Sequence, residues 1–281
     1  MEKLFRKIGL AVTFSPNGKS LIRETLRIHK IYGSEVAFMH VGAKNNEAES
    51  KLRTLIDETL YPDKLAYSLN FISGEPSKAI IKKGKELNLD LLLIGALEKE
   101  TPLKFYLGSV ARNIMRDAPF NVLTFTKPIP NRVSFHNVIV SISYDDLGEK
   151  AVGISKMIMK SEGETKLTYV RDFSIPALAS VVIDAGSTQV TENARKEFYN
   201  HEKEKMRWFT RESGIKSDDV EFAVLYGKQG WEVLNYAKEI EADLLILPMK
   251  SKRTSIFDRI FMHDVEFILE ELPSNTLLIK K

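Results

Sequence analysis

The sequence predicts an α/β fold made of two tandem domains, each a five-stranded parallel sheet with helices on both faces. Three observations carry that prediction. Short aliphatic runs alternate with longer amphipathic segments, which is the pattern of a parallel sheet covered on both sides. Two of the runs, Asp90-Leu-Leu-Leu-Ile and Asp243-Leu-Leu-Ile-Leu, are unbroken, as suits strands buried on both faces. The order of elements in the first half also recurs in the second.

In the first half, strands are expected near Ile8–Val12, Glu35–Val41, Ala66–Ile72, Leu91–Ile94 and Val122–Phe125. Between the first two, Leu21, Ile22, Leu26 and Ile31 form one apolar stripe, and Gly33 closes that helix. The next helix gathers Leu52, Leu55, Ile56 and Leu60 on one face, and the third begins at Pro76, a residue suited to a first helical turn. Gly108-Ser109 opens a fourth helix, with Ser109 reading as its N-cap.

The second half repeats this plan. Val138–Ile142 matches Ile8–Val12, and Thr165–Val170 matches the second strand, with Val170 in the place of Val41. Gly227 and the helix after it match Gly74 and its helix, and Asp243 matches Asp90. An extra stretch of about 24 residues falls between the second and third strands of this copy, where additions sit on the surface of a shared core. Within the stretch, the polar tract from Thr191 to Ser213, anchored by Phe198, Met206 and Phe209, predicts a long helix with a solvated face. The apolar segment Ile175 to Ala185 either completes the core or makes a partner surface. The proline-bearing linker from Lys127 to Arg132 divides a first domain, 1–127, from a second, 131–281. It is too short for the halves to wander apart. They are expected to pack through their fifth strands, Val122–Phe125 against Thr276–Ile279, as an internal pseudo-dimer, the whole chain being a monomer or a homodimer.

With 281 residues, 43% hydrophobic and 28% charged, the chain has room for one large domain or two of moderate size. Basic and acidic residues nearly cancel, 41 against 38, and no basic stripe of the kind nucleic-acid binders carry stands out. The absence of cysteine excludes disulfides, thiolate catalysis and cysteine-ligated metals. Residues Met1 to Lys7 lead directly into a strand without an apolar signal core, and no run approaches a membrane span. A cytoplasmic protein without membrane or nucleic-acid partners is the expectation.

One stretch looks built to seat a phosphate. The strand ending Ile94-Gly95 is followed by a loop and then by Gly108-Ser109-Val110 at the head of a helix, where free amides favour an anion. In Gly95, Gly108 and Ser109 the chain resembles the universal stress protein family, whose motif Gly-x2-Gly-x9-Gly-[Ser/Thr] holds ATP phosphates. Glu98 stands at the second glycine of that motif. The resemblance also implies a nucleoside site after the first two strands, where Thr13 replaces the family aspartate and Val41 keeps the family valine. It implies a Rossmann-like fold over nearly the whole chain. It further implies a non-catalytic stress-response protein whose first domain takes up ATP, AMP or another adenine nucleotide through Thr13, Val41, Ile94, Gly95, Glu98, Gly108, Ser109 and Val110.

The bland alternative makes Gly95 a turn residue and Ser109 a cap. In the second copy, Pro248 and Met262-His263 replace the phosphate-seat residues, although Lys250, Lys252, Arg253 and Arg259 keep that loop basic. A rival motif, Thr13-Phe-Ser-Pro-Asn-Gly18-Lys19-Ser20, departs from a P-loop only at its first position. No strand ends in an aspartate placed to hold magnesium. The five histidines show no metal-ligand spacing, His40 reads as a core or rim residue, and Asp145-Asp146 and Asp218-Asp219 read as turn formers. No metal site or catalytic residue is assigned. A ligand-free scaffold or regulatory interaction protein, an unidentified protein partner, and a P-loop-like nucleotide hydrolase stay open as alternatives.

Overall fold

The computed structural model describes residues 4–98, 105–106, 108–126, 128–129, 131–173, 188–228, 230–249 and 271–280. The first half runs β1 (Lys7–Ala11), α1 (Gly18–Tyr32), β2 (Glu35–Val41), α2 (Asn46–Leu60), β3 (Tyr67–Ile72), α3 (Pro76–Glu86) and β4 (Leu91–Gly95). A two-stranded ribbon, β5 (Leu97–Glu98) with β6 (Phe105–Tyr106), precedes α4 (Ser109–Asp117) and β7 (Asn121–Phe125). The second half runs β8 (Asn137–Ser141), α5 (Asp146–Glu162), β9 (Lys166–Phe173), α6 (Thr188–Glu212), β10 (Glu221–Tyr226), α7 (Trp231–Glu239), β11 (Leu244–Pro248) and β12 (Asn275–Ile279).

Ten of these strands form one sheet in the order β10-β9-β8-β11-β12-β7-β4-β1-β2-β3. Within each half all neighbours are parallel. The halves meet through their fifth strands in an antiparallel ladder, with Leu277 opposite Leu123. The sheet of each half is therefore as expected, but the two continue into a single sheet. Its two faces carry two apolar cores. One holds Ile8, Phe38, Leu52, Val138, Tyr169 and Ile246, and the other Met39, Leu92, Ile114, Ile139, Leu234 and Leu278. Each core draws on both halves, because strands buried on both faces need a layer on each side.

The helix ends follow local chemistry. Gly33 closes α1 with φ 63°, a left-handed conformation that a glycine adopts freely. Pro76 opens α3, and the Glu75 side chain accepts from the Ser77 and Lys78 amides. Asp145 caps α5 by accepting from the Gly148 amide, and Asp146 is already helical, so that acidic pair starts a helix where a turn was expected. Asp218 and Asp219 lie in a 3-10 turn. The long polar helix is present as α6, fixed by fully buried Met206, and its Glu202 accepts from the Tyr144 hydroxyl at 2.7 Å. Ile175 to Ala185, Lys250, Lys252, Arg253, Arg259 and Met262-His263 fall outside the described residues.

The halves repeat the same hydrogen bonds at matched residues. The Asp90 carboxylate accepts from the Arg6 and Lys7 amides, and that of Asp243 from the His136 and Asn137 amides. An aspartate just before each buried strand thus secures the entry to the neighbouring first strand. Asn121 bonds the Asp90 carbonyl and the Lys280 amide across the seam, and Asn275 bonds the Asp243 carbonyl and the Thr126 amide. The ladder also corrects the repeat alignment. Val12 N donates to Met39 O, and Ile142 N to Val170 O. Val170 is therefore the counterpart of Met39, and Val41 corresponds to Asp172.

A buried ionic cluster clamps the halves at the opposite edge of the sheet from the expected site. Arg27 on α1 binds Glu162 on α5 through two bonds, 2.7 and 2.9 Å, and Glu24 at 3.0 Å. Arg132 in the linker reaches Glu24 at 2.9 Å and Asp243 at 3.4 Å. Both guanidinium groups lie over the Phe135 ring. Such a cluster fixes geometry more than it adds net stability, because desolvation offsets most of the attraction.

Candidate functional site

Strands β1, β2 and β4 end at one edge of the sheet beside the first turns of α1, α3 and α4, leaving a cavity of about 580 Å³. Its walls include Thr13, Val41, Ile94, Gly95, Gly108, Ser109 and Val110, so seven of the eight expected residues converge on one space. The eighth, Glu98, lies on β5 with its backbone paired to Phe105. The strand pleat explains the apolar wall: alternate residues of β2, Met39 and Val41, share a face, and Leu21, Ile80 and Ile114 close in from the helices. The sequence reading missed these last residues together with Ser15 and Asn17. The period-two pattern of β2 was the signal for Met39, while the helix residues had looked like ordinary core.

Three helix starts surround the cavity, and they differ. In α3 the Glu75 carboxylate already occupies the first-turn amides, and these bonds hold it below the usual carboxylate range. In α1 the Gly18 amide is bound by Ser15 O at 2.9 Å, and Lys19 is exposed and absent from the cavity wall. The backbone there is closed on itself, with no cradle of amides and no lysine aimed inward. In α4 the capping position is Gly108, with φ −56° and ψ 155°, and no side chain caps the turn. Ser109 is the first helical residue, a correction to its reading as N-cap, because the Gly108 carbonyl accepts the first helical bond, from Arg112 N. The amides of Ser109, Val110 and Ala111 precede that bond and lack acceptors in the helix. Of the three, this helix start is the one open to an anion.

Gly95 has a packing reason of its own. A Cβ there would stand 2.8 Å from Leu21 Cδ1, so the glycine lets α1 approach the end of β4. Thr13 is exposed at the rim. His40 faces away from the cavity, its Nδ1 3.1 Å from Val12 O and its ring between Phe14 and Phe71. It is a rim residue, as expected. Among the described residues, no three His, Asp or Glu side chains are grouped to hold a metal ion, and no helix is long and apolar enough to cross a membrane.

The second half differs at the matching positions. Asp172, the counterpart of Val41, is buried and accepts from the Gly230 amide at the start of α7. Burial raises its pKa. A carboxylate thus sits where the first half keeps an apolar wall, and Pro248 ends β11 where Gly95 ends β4.

Residues 4–125 match the family model described as the universal stress protein family. The first half is therefore similar to a domain of that family. Likeness to solved structures extends over the whole length. A Pseudomonas aeruginosa UCBPP-PA14 protein described as a universal stress protein has a TM-score of 0.69 at 14% identity, covering 98% of this chain and 93% of that one. A universal stress protein from Archaeoglobus fulgidus DSM 4304 has a TM-score of 0.66 at 16% identity, covering 100% of this chain and 99% of that one. At such identities the likeness shows a shared fold. No curated protein matches the sequence significantly. The half that matches the family model thus carries an open cavity, and the other half carries Asp172 and Pro248 at the places of Val41 and Gly95.

Proposed function

We propose that this is a non-catalytic, cytoplasmic stress-response protein whose first unit, residues 1–127, binds one adenine nucleotide, residues 131–281 being a second unit with a degenerate site. One observation carries the reading: the uncapped start of α4 opens on a cavity whose remaining walls are largely apolar. An anion at one end and a flat apolar slot beside it match the two ends of a nucleotide. Phosphates then rest on the amides of Ser109, Val110 and Ala111, with the base between Met39, Val41 and Ile80.

Calorimetric titration of the whole chain with ATP, AMP and a cyclic dinucleotide tests this, with one site per chain expected. Gly108→Val places a branched side chain at the phosphate seat and is expected to abolish binding. Wild-type affinity in that variant overturns the location. Glu98→Gly, which restores the family glycine, is expected to tighten ATP. A purely ligand-free scaffold is favoured by a different observation, the exposed Thr13 at the position of the family carboxylate, and lack of heat with every nucleotide would establish it.

Turnover is not expected. Phosphoryl transfer needs an aligned, metal-held phosphate, and the Gly18-Lys19-Ser20 turn has its first amide already bonded and its lysine exposed. Phosphate release with magnesium present should be negligible and the same in Lys19→Ala. A fast rate that collapses in the variant would make the protein a nucleotide hydrolase.

A further inference from the structure

Helices α3 and α4 wall the cavity with one face and leave a second, open groove of about 700 Å³ between their other faces. Lys78, Lys82 and Lys85 line it from α3, Asn113 and Arg116 from α4, and Ile81 supplies an apolar patch. The lysines fall at i, i+4 and i+7, one row along the helix. That row is a local concentration of charge which the nearly balanced composition conceals.

Helix stability does not account for the row. A cation late in a helix favours the dipole, which suits Lys85, but Lys78 sits in the first turn, where a cation opposes it. Among the described residues none of Lys78, Lys82 and Lys85 forms an ion pair, whereas Lys83 pairs with Glu86 at 3.3 Å. The cations of α2 are treated differently: Lys51 pairs with Glu47 at 2.6 Å and Arg53 with Glu49 at 2.9 Å, each one turn back. The two carboxylates at the groove are committed, Glu75 to capping α3 and Asp117 to Arg116. Arg116 also binds Asn113 Oδ1 at 2.9 Å, which leaves the Asn113 amide nitrogen as a donor at the groove.

We propose that the groove between α3 and α4 is a docking site for an acidic peptide segment of a partner protein, with Lys78, Lys82 and Lys85 reading its carboxylates. Seven residues of helix span about 10 Å, and carboxylates at alternate positions of an extended chain stand about 7 Å apart, so two neighbouring carboxylates fall within the row. Ile81 takes an apolar side chain, and Asn113 donates to the peptide backbone. A nucleic acid fits less well. No aromatic side chain lines the groove for base stacking, and the one arginine is engaged.

The test is fluorescence anisotropy of the full chain with a labelled peptide of about eight residues carrying glutamate at alternate positions and one leucine. The same peptide with glutamine for glutamate, and an oligothymidylate of similar length, serve as comparisons. The glutamate peptide is expected to bind, more weakly as salt rises, and the glutamine peptide at least tenfold more weakly still. The triple variant Lys78→Gln, Lys82→Gln, Lys85→Gln is expected to lose at least tenfold in affinity. A charge-matched control, Lys44→Gln, Lys51→Gln, Arg53→Gln on and beside α2, is expected to stay within about twofold. Carbodiimide crosslinking followed by mass spectrometry should join the peptide to the α3 lysines. Equal losses in the two variants, crosslinks confined to other lysines, or tighter binding of the oligothymidylate would each overturn the proposal.

Discussion

Lys280 buries an ammonium group completely, with its Nζ 3.3 Å from Arg116 O and its own amide on Asn121. Burial pushes its pKa down from 10.5 to about 8, against a smaller opposing pull from Asp117. The folded protein therefore releases this proton before the unfolded chain does. Between those two values the unfolded state holds more protons, so stability gained from this group rises with pH, while below about 8 the full cost of burying the charge remains. Lys280→Met removes that cost. Urea melts should show wild type gaining on the variant by on the order of 2 kcal/mol between about pH 8 and about pH 10. The burial of Lys280 was not legible in the sequence, since a lysine next to the end of a chain looks solvated. Asp90 and Asp243 were legible as positions, and the structure supplies their reason, two amide bonds each. That seven of the eight candidate residues would line one cavity was legible because glycines and helix starts mark a strand's carboxyl end, but the ownership of the cap by Gly108 turns on one backbone conformation that either residue of the pair can adopt.

Among the elements, the seam between β7 and β12 is held by side chains as well as by its ladder. Asn275 satisfies a buried amide of Thr126 and the carbonyl of Asp243. Asn275→Ala leaves both without their partner and should cost about 2–4 kcal/mol in a urea melt, with Asn121→Ala behaving alike. Each of the five main-sheet strands of the first half was legible to within a residue or so, because buried aliphatic runs bounded by glycine, proline and aspartate have few other uses, whereas the short β5–β6 ribbon stands where a loop was expected. The counterpart of Val41 was misplaced by two residues for a physical reason. A slip of one residue turns a strand inside out, whereas a slip of two restores every side chain to its face, so pattern alone cannot choose between registers that differ by two. The hydrogen bonds of Val12 and Ile142 make that choice. In α6 the anchors Met206 and Phe209 were visible as apolar breaks in a charged tract. Glu202, which is buried against Tyr144 and Arg171, was hidden by its charge.

For the molecule as a whole, among the described residues the continuous sheet ends at β3 and β10, while β7 and β12 cover each other. A monomer is the expected state, and sedimentation should report a mass near the 32.0 kDa of one chain. The linker predicted that the halves stay close, and the repeat predicted that they meet through equivalent strands. Nothing in the linear pattern foretold the cluster of Arg27, Glu24, Glu162, Arg132 and Asp243, because its members lie far apart in the chain and each looks like a surface charge. The antiparallel seam has a kinetic meaning as well. Two separate subunits joined this way would find each other by collision and would part on dilution, their folded fraction tied to their abundance. Here the partner strand is tethered, so its effective concentration is set by the chain itself. The urea midpoint should therefore be the same at about 0.1 μM and about 100 μM protein, and the sheet should remain whole however scarce the protein becomes.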